Sequence, residues 1–339
     1  MPPDISVAIV TWNRREYLRA CLASLAAQRG ADFEVIVVDN GSRDGSAEMA
    51  RAEFGAHVIA NAENRGFCAA NNQAFAAARG EFIALLNNDT EAAPDFLANL
   101  RRAFHAAPDV GMAAAKVLVW EDPRRIDKVG HLIYPDGQNR GRGTGEIDAG
   151  QYDRIEECLW PDGCAAMYRK AMLDVTGGFD EDFFMFGDDA ELGLRARIAG
   201  WRCLYMPGAV VRHHRGASLD AGSPRRIFLI ERNRVLLAAK LFPWSLLVLN
   251  PLYFALRLAG GIAAAVRGNG EMVRFPGFGG KLRLAWAVVS ADVAALRLLP
   301  RILAKRRDVR RMAKLTPRQV RRLILDHRIP VRALVEKSN

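Results

Sequence analysis

Residues Glu81 to Thr90 read EFIALLNNDT, and this stretch decides the fold. An apolar run that stops abruptly in amides and a carboxylate is the pattern of a buried parallel strand. The carboxyl end of such a strand reaches a ligand crevice, where backbone and short polar side chains meet. Two earlier units have the same build. Ile5 to Val10 (ISVAIV) is followed by Thr11, Trp12 and Asn13, then by a helical pattern with Leu18, Leu22 and Leu25 on one face. Phe33 to Val38 (FEVIVV) is followed by Asp39, Asn40, Gly41, Ser42 and Asp44, with Gly45 and Ser46 opening the next helix. Both strands are apolar on both faces, as burial between two helix layers demands, and strands alternating with helices indicate a parallel α/β sheet. A third short strand, His57 to Ala60, leads through Asn61, Glu63, Asn64, Arg65 and Gly66 into an alanine-rich helix from about Phe67 to Ala78. One sheet edge thus collects Asp, Asn, Ser, Arg and Gly, and a nucleotide and a metal are expected there.

The 339 residues allow one large or two moderate domains, and half of them are apolar, which argues against disorder. Charge is unevenly placed. Residues 1 to 224 carry 24 Lys/Arg against 32 Asp/Glu, a net −8, whereas residues 225 to 339 carry 24 against 6, a net +18. The two parts face different surroundings. Leu241 to Leu256 (LFPWSLLVLNPLYFAL) holds 16 residues without a charge and is rich in Trp, Tyr, Phe and Leu. Interrupted by Pro243 and Pro251 and closed by Arg257, it falls short of the roughly 20 residues of a clean span and reads as an element grazing a bilayer, with a buried helix pair as the plainer alternative. Basic stretches follow at Lys305 to Arg311 (KRRDVRR) and Arg318 to Arg322 (RQVRR). Beside a Trp- and Leu-rich segment they suit an anionic membrane surface; nucleic acid is not expected, because no zinc, helix-turn-helix or aromatic RNA signature accompanies the charge. Five scattered cysteines have no metal spacing and are expected reduced, in a cytoplasmic protein with no signal peptide.

In the middle of the chain, Asp95 to Ala106 reads as a helix and Val110 to Val119 as a strand. Glu121 to Tyr152, polar and Gly-rich, shows no periodicity and is expected to be an excursion that orders on ligand binding. Asp162, Gly163 and Cys164 then lead into a small-residue run. The densest segment is Gly177 to Trp201 (GGFDEDFFMFGDDAELGLRARIAGW), which interleaves Asp180, Glu181, Asp182, Asp188, Asp189 and Glu191 with phenylalanines. Acids desolvated by aromatics have raised pKa values and suit general-base work, although any one of them can equally cap the helix that follows. Cys203 to Met206 and Ala209 to Arg212 read as short strands ending at His213, a candidate metal ligand facing the acidic loop.

These residues bring a family into view. The chain resembles the family 2 inverting glycosyltransferases of the GT-A fold, and most closely their bacterial rhamnosyltransferase-like branch, which builds cell-envelope polysaccharide. The resemblance runs from about Ile5 to Pro243 through VAIVTWNR, VVDNGSRDGS, NRGFCAANN, LLNNDT, DGCAAMYRK, the Gly177 to Trp201 block and HHRGAS, in that order. It implies that Thr11 and Asp39 contact a pyrimidine base, that Asn64, Arg65 and Gly66 border the nucleotide, and that Asn88 and Asp89 stand at the metal motif. It further implies that Asp89 binds a divalent cation, Mg2+ or Mn2+, bridging the donor diphosphate, that His213 completes the metal site, and that Asp189 is the base that deprotonates the acceptor hydroxyl. Two departures stand out. Asn87, Asn88, Asp89 offers one carboxylate where many relatives have two, and Asp188, Asp189, Glu191 stands where relatives place Glu, Asp, Asp, so the base lies among Asp189 and its neighbours, Asp188 first. Arg232, Asn233 and Arg234 match a recurrent basic motif expected to meet phosphate, with packing against acids as the alternative.

The expectation is therefore a GT-A catalytic domain over residues 1 to 240 and a helical, basic, membrane-associating region over 241 to 339, peripheral on the inner face of the cell membrane. The expected reaction moves a sugar from a dTDP- or UDP-sugar, dTDP-rhamnose foremost, to a lipid-linked or growing glycan. Two rivals are a sugar nucleotidyltransferase, which would need a Gly-rich triphosphate loop that TWNRRE lacks, and a non-enzymatic adaptor that works through its basic tail.

Overall fold

The apolar runs become strands wherever two helix layers can cover them. In the computed structural model, which describes residues 2–214 and 223–335, β1 (Ile5–Thr11), β2 (Phe33–Asp39), β3 (His57–Ala60) and β4 (Phe82–Leu86) run parallel, with β1 between β2 and β4 and β3 outside β2. The intervening helices are α1 (Arg15–Ala26), α2 (Ser46–Phe54) and α3 (Phe67–Ala77). Leu18, Cys21, Leu22 and Leu25 recur on one face of α1 and join Ile5, Val7, Ile9, Val37 and Leu86 in the core. Burial of this kind is worth roughly 1.5–3 kcal/mol per large aliphatic side chain, which is why β1, β2 and β4 tolerate so few polar residues before their ends.

Next come β5 (Thr90–Ala92), α4 (Phe96–Arg102), β6 (Val110–Val119), β7 (Ile126–Lys128), β8 (His131–Ile133), β9 (Asn139–Gly141), β10 (Glu156–Cys158), β11 (Ala165–Arg169), α5 (Lys170–Thr176), α6 (Asp188–Ile198) and β12 (Arg202–His213). Across the main sheet the order is β10, β12, β6, β11, β4, β1, β2, β3, with β5 added to β12 and β7 to β6; β8 and β9 form a separate ribbon. β11 lies antiparallel to both β4 and β6, so a mixed half adjoins the parallel one. The class is the expected one, a mainly parallel sheet between helices with a helical C-terminal region. Two readings change. β12 is one strand and not two, its register slipping between Met206 and Val210, where Pro207 cannot donate to the ladder. Residues 121 to 152 are not an excursion without elements: they hold β7, and Ile126, Asp127 and Val129 have no exposure. Strands three residues long leave no period to read.

By internal packing the chain forms two units, one from the described residues up to 131 and from 141 to 214, the other from 132 to 140 and from 223 onward. The expected boundary after 240 is thereby corrected. α7 (Pro224–Leu241) belongs to the second unit because its apolar face, with Leu229, Leu236 and Leu237 buried, packs on α10 (Gly277–Met312). Between them in sequence lie α8 (Trp244–Leu247) and α9 (Asn250–Val266); α11 (Pro317–Asp326), opened by a reciprocal Thr316–Gln319 cap, and α12 (Val331–Val335) follow. The same unit clasps residues 132 to 140. Asp136, fully buried, accepts from Arg257 Nε at 2.6 Å, its carbonyl accepts from Asn250 and Arg234, and Arg257 grips Glu231 through both terminal nitrogens at 2.8 and 2.7 Å. Burial alone would raise the Glu231 pKa; the two arginines hold it below the usual carboxylate range. Among the described residues, no helix is long and apolar enough to cross a membrane.

Candidate active site

β1 and β2 end side by side, with Thr11 opposite Asp39 in register. Asn88, just beyond β4, donates its Nδ2 to Thr11 Oγ1 at 2.9 Å, tying a third strand end to the first two. Asp39 is buried. One of its oxygens accepts from the Ser42 amide at 3.2 Å, while Oδ1 has no hydrogen-bond partner among the described residues. Buried carboxylate oxygens are seldom left so, because each unmet acceptor costs about 1–3 kcal/mol, and a ligand N–H would satisfy this one. Asn40 shapes the neighbouring rim: its side chain donates to Asn64 Oδ1 and Gly66 O and accepts from the Arg65 amide, which leaves Asn64 and Arg65 exposed. Gly66 is demanded by its surroundings. It lies at φ +86°, and a Cβ there would meet the Phe184 ring at 2.4 Å. The Phe184 carbonyl also takes the first two amides of α3, from Phe67 at 2.9 Å and Cys68 at 3.2 Å, so this helix end offers no open N–H pair to a phosphate.

The metal candidates meet because β5 pairs antiparallel with β12, setting His213 opposite Thr90 and beside Asp89. His213 Nε2 lies 3.5 Å from Asp89 Oδ1, and its Nδ1 is hydrogen-bonded to the fully buried Asp127 at 2.8 Å. Burial would lower the His213 pKa, but hydrogen bonds and charge from Asp127 and Asp89 outweigh it and raise it to about 9. The ring thus sits where positive charge is favoured, with one nitrogen oriented by a carboxylate and the other turned to a second carboxylate. A carboxylate–histidine arrangement of this kind is a usual support for a metal ligand, so the donor set fits a divalent cation. His214 takes no part in it: its ring stacks on Trp120 at 3.9 Å and lies 4.9 Å from Tyr17.

The acidic block resolves into distinct environments. Glu191 is fully buried and paired with Arg195 at 2.7 Å, a structural ion pair along α6. Asp188 is buried; burial first, and the Asp189 charge second, push its pKa well above the carboxylate range. Asp189 is also raised, mainly by burial, while His131 opposes the shift. Its side chain keeps 13% exposure, so of the two it is the one a second molecule can reach. Gly163 N donates to Asp189 Oδ2 at 3.3 Å, and His131 Nε2 stands 3.5 Å from the same oxygen and 2.8 Å from Asp162. Lys128 closes the group on Asp162 at 2.6 Å. Burial works against the Asp162 carboxylate, yet the Lys128 charge holds its pKa well below normal. The loop entering α6 is strained, with Phe184 at φ 63°, Phe186 at 67° and Gly187 at 72°, as is common where function fixes a backbone.

Thr11, Asp39 and Asn88 therefore share one strand edge, Asn64, Arg65 and Gly66 form its rim, and Asp89 meets His213. Asp127, Lys128 and His131 were not singled out from the sequence, and Asn40, named there at its strand end, was given no role. Arg232 and Arg234 belong to the second unit. Arg234 is turned inward and donates to Glu231 at 2.9 Å and to the Asp136 carbonyl at 3.1 Å, so packing against acids replaces the phosphate contact expected of it. Arg232 donates to Asn233 Oδ1. Residues 215 to 218 of the HHRGAS motif lie outside the described residues.

Comparison with known proteins bears on the family and the fold. A mannosyltransferase of Pyrobaculum calidifontis, solved with GDP-mannose and Mn2+, superposes with a TM-score of 0.53 over 92% of this chain and 86% of its own, at 20% identity, a likeness of GT-A fold. An N-acetylglucosaminyl-diphospho-decaprenol L-rhamnosyltransferase of Mycobacterium tuberculosis is 25% identical over 64% of this chain and 78% of its own length. The succinoglycan biosynthesis protein ExoU of Rhizobium meliloti is 32% identical over 70% of each. An uncharacterized protein of Sinorhizobium fredii is 30% identical over 64% of this chain, which spans only 25% of that longer protein. The family model for glycosyl transferase family 2 matches residues 6–175, half of the chain and every strand end from Thr11 to Asp89, and the protein belongs to that family as a glycosyltransferase.

Proposed function

We propose that this glycosyltransferase moves a sugar from a dTDP- or UDP-sugar, dTDP-rhamnose being the leading donor, to a lipid-linked or growing cell-envelope glycan, with inversion and with the help of a divalent cation. The observation that carries the reading is the buried, unpartnered Asp39 Oδ1 at the same sheet edge as Asp89. Uracil and thymine each carry an N3–H that this oxygen can accept, with Thr11 beside it; cytosine has none. Asn88, Asn64 and Arg65 would border the rest of the nucleotide, and Gly66 keeps the rim clear of Phe184. Asp89 and His213 would hold Mg2+ or Mn2+, which supplies charge to a departing diphosphate. Asp189 would take the proton of the acceptor hydroxyl as the acceptor oxygen bonds to C1 and the bond to the diphosphate breaks on the opposite face. Its raised pKa brings it nearer to the operating pH of a general base. Asp188, its pKa pushed well above the carboxylate range by burial and the Asp189 charge, would resist ionisation and favour Asp189 as the charged member. Arg232 remains a candidate for donor or acceptor phosphate. The names of the M. tuberculosis and R. meliloti relatives support the sugar and the glycan class, and the +18 charge of residues 225 to 339 supports a place on the inner membrane face.

The test is thermal stabilisation by dTDP, UDP, GDP and their sugar conjugates, each with Mn2+, Mg2+ or EDTA. A cation-dependent rise in Tm confined to dTDP and UDP compounds is expected, about 2.7 kcal/mol of stabilisation at a hundredfold excess over Kd. An equal response to GDP would refute the pyrimidine-donor reading.

A further inference from the structure

We infer that the second unit docks on an anionic lipid leaflet through the outer faces of α9 and α10, which lie along the surface without crossing it. The inference rests on the peripheral membrane placement proposed above and extends the contact beyond the Leu241–Leu256 run. α10 is apolar on two opposite sides. Its buried side, against α7, carries small or aliphatic residues such as Ala287, Ala291, Ala295 and Ile302. On the other side Phe278, Leu282, Trp286, Val289, Val293 and Leu296 recur every three or four residues and are exposed, Phe278 by 84% and Trp286 by 71%. This inverts the usual surface helix, whose largest apolar residues point inward and whose outer face is charged. With Leu303 the stripe runs 26 residues, about 38 Å at the α-helical rise. α9 repeats the arrangement. Arg257 and Ala264 face inward, whereas Leu252, Leu256, Ile262 and Val266 form an exposed outer face without a charge, Val266 at 84%. The run expected to graze the membrane is divided: Leu241, Phe242 and Leu246 are buried in the unit, whereas Trp244, Val248, Leu252 and Leu256 are exposed.

Charge selects the occupant. Four and eight residues past Leu303, on the same face of α10, stand the exposed Arg307 and Arg311, with exposed Arg297 and Arg301 alongside the stripe higher up. A second copy seated on this face would bring its own arginines and its own +18 against these, whereas anionic headgroups complement them. Aromatic residues at one end and arginines at the other suit the boundary between acyl chains and headgroups. No described helix is long and apolar enough to span, so the faces lie flat.

The experiment is flotation of the full-length protein with vesicles of phosphatidylcholine alone or with phosphatidylglycerol added, for the wild type, W286E/V289E, R307E/R311E and a control, V175E, at an exposed valine of the first unit. Binding to the anionic vesicles is expected, reduced at least about tenfold by W286E/V289E, since burial of large side chains is lost. R307E/R311E should weaken it and lessen its salt dependence, and V175E should leave it unchanged. Every altered residue is exposed, so the melting temperature and the nucleotide-induced shift serve as checks on folding. Binding that survives W286E/V289E would overturn the inference and leave the membrane placement standing; a wild type that binds no anionic vesicle would sink both. A dimer in solution that W286E/V289E dissociates would assign the face to a second copy and overturn it as well.

Discussion

Substitution of Gly66 by alanine tests how the rim and the acidic loop constrain each other. The backbone at Gly66 (φ +86°, ψ 168°) lies in a region essentially reserved for glycine, and a non-glycine residue there costs on the order of 1–3 kcal/mol. The new Cβ would also sit 2.4 Å from one Phe184 ring carbon and 2.6 Å from the next, an overpacking penalty of about 1–3 kcal/mol. Gly66→Ala should therefore cost about 2–6 kcal/mol, a fall in Tm of at least roughly 5 °C for a domain of this size. The two contributions separate in a double-mutant cycle with Phe184→Gly, which removes the ring and relaxes a residue itself held at φ 63°. Adding Gly66→Ala to Phe184→Gly should cost only the backbone share, giving a coupling of about 1–3 kcal/mol by urea or thermal unfolding. Equal costs in the two backgrounds would refute the steric argument, and a neutral Gly66→Ala would refute both parts.

Three further outcomes follow from the site and the clasp. Because the Asp188 pKa is raised in the folded state, its contribution to stability is fully present below the unfolded carboxylate value of about 4 and is lost as pH rises toward the folded value. Asp188→Asn should accordingly gain a Tm advantage over the wild type that grows with pH from 4 to 8; a constant difference would mean that Asp188 is ionised in the fold. Asp89→Ala and His213→Ala should each abolish the cation-dependent part of the dTDP or UDP shift while a cation-independent part, through Asp39, persists; retention of the full shift in both variants would remove these residues from the cation site. Asp136→Ala removes the buried acceptor of Arg257 Nε while Glu231 still pairs with that guanidinium, and should cost about 1.5–3 kcal/mol in urea unfolding. A loss below about 1 kcal/mol would show that the clasp contributes little.

In the parallel half of the sheet β1 and β2 were legible almost to the residue, since they begin where their apolar runs begin and burial leaves continuous hydropathy. The strand-end residues were legible for the converse reason: Thr11, Asp39 and Asp89 are abrupt polar interruptions of such runs. Asp127, Lys128 and His131 were not, because their burial depends on partners far along the chain; Asp127 is satisfied by His213, 86 positions later, and no local pattern announces that. A charged residue paired over such a distance looks in sequence like any solvated one. The second unit was legible only in part, for a related reason. Leu241, Phe242 and Leu246 resemble a membrane face by composition, and only the packing of α7 on α10 shows that they lie inside while Phe278 and Trp286 lie outside.

The polypeptide passes between its two units three times, at 131/132, at 140/141 and between 214 and 223. The helical part is thus no detachable tail. A chain cut after residue 243 would keep Asp136 but discard Arg257 and Asn250, so the stump would carry an acid that has lost the guanidinium bonded to its carboxylate, a few residues from His131. Recombination that exchanged the C-terminal third between related genes would meet the same obstacle, because any incoming helix would have to supply a guanidinium at the place of Arg257. The piece that reads as an anchor and the piece that reads as a catalyst are therefore inherited as one, and swapping acceptors or membranes by shuffling modules is closed to this chain unless the Leu132–Arg140 segment travels with the helices that hold it.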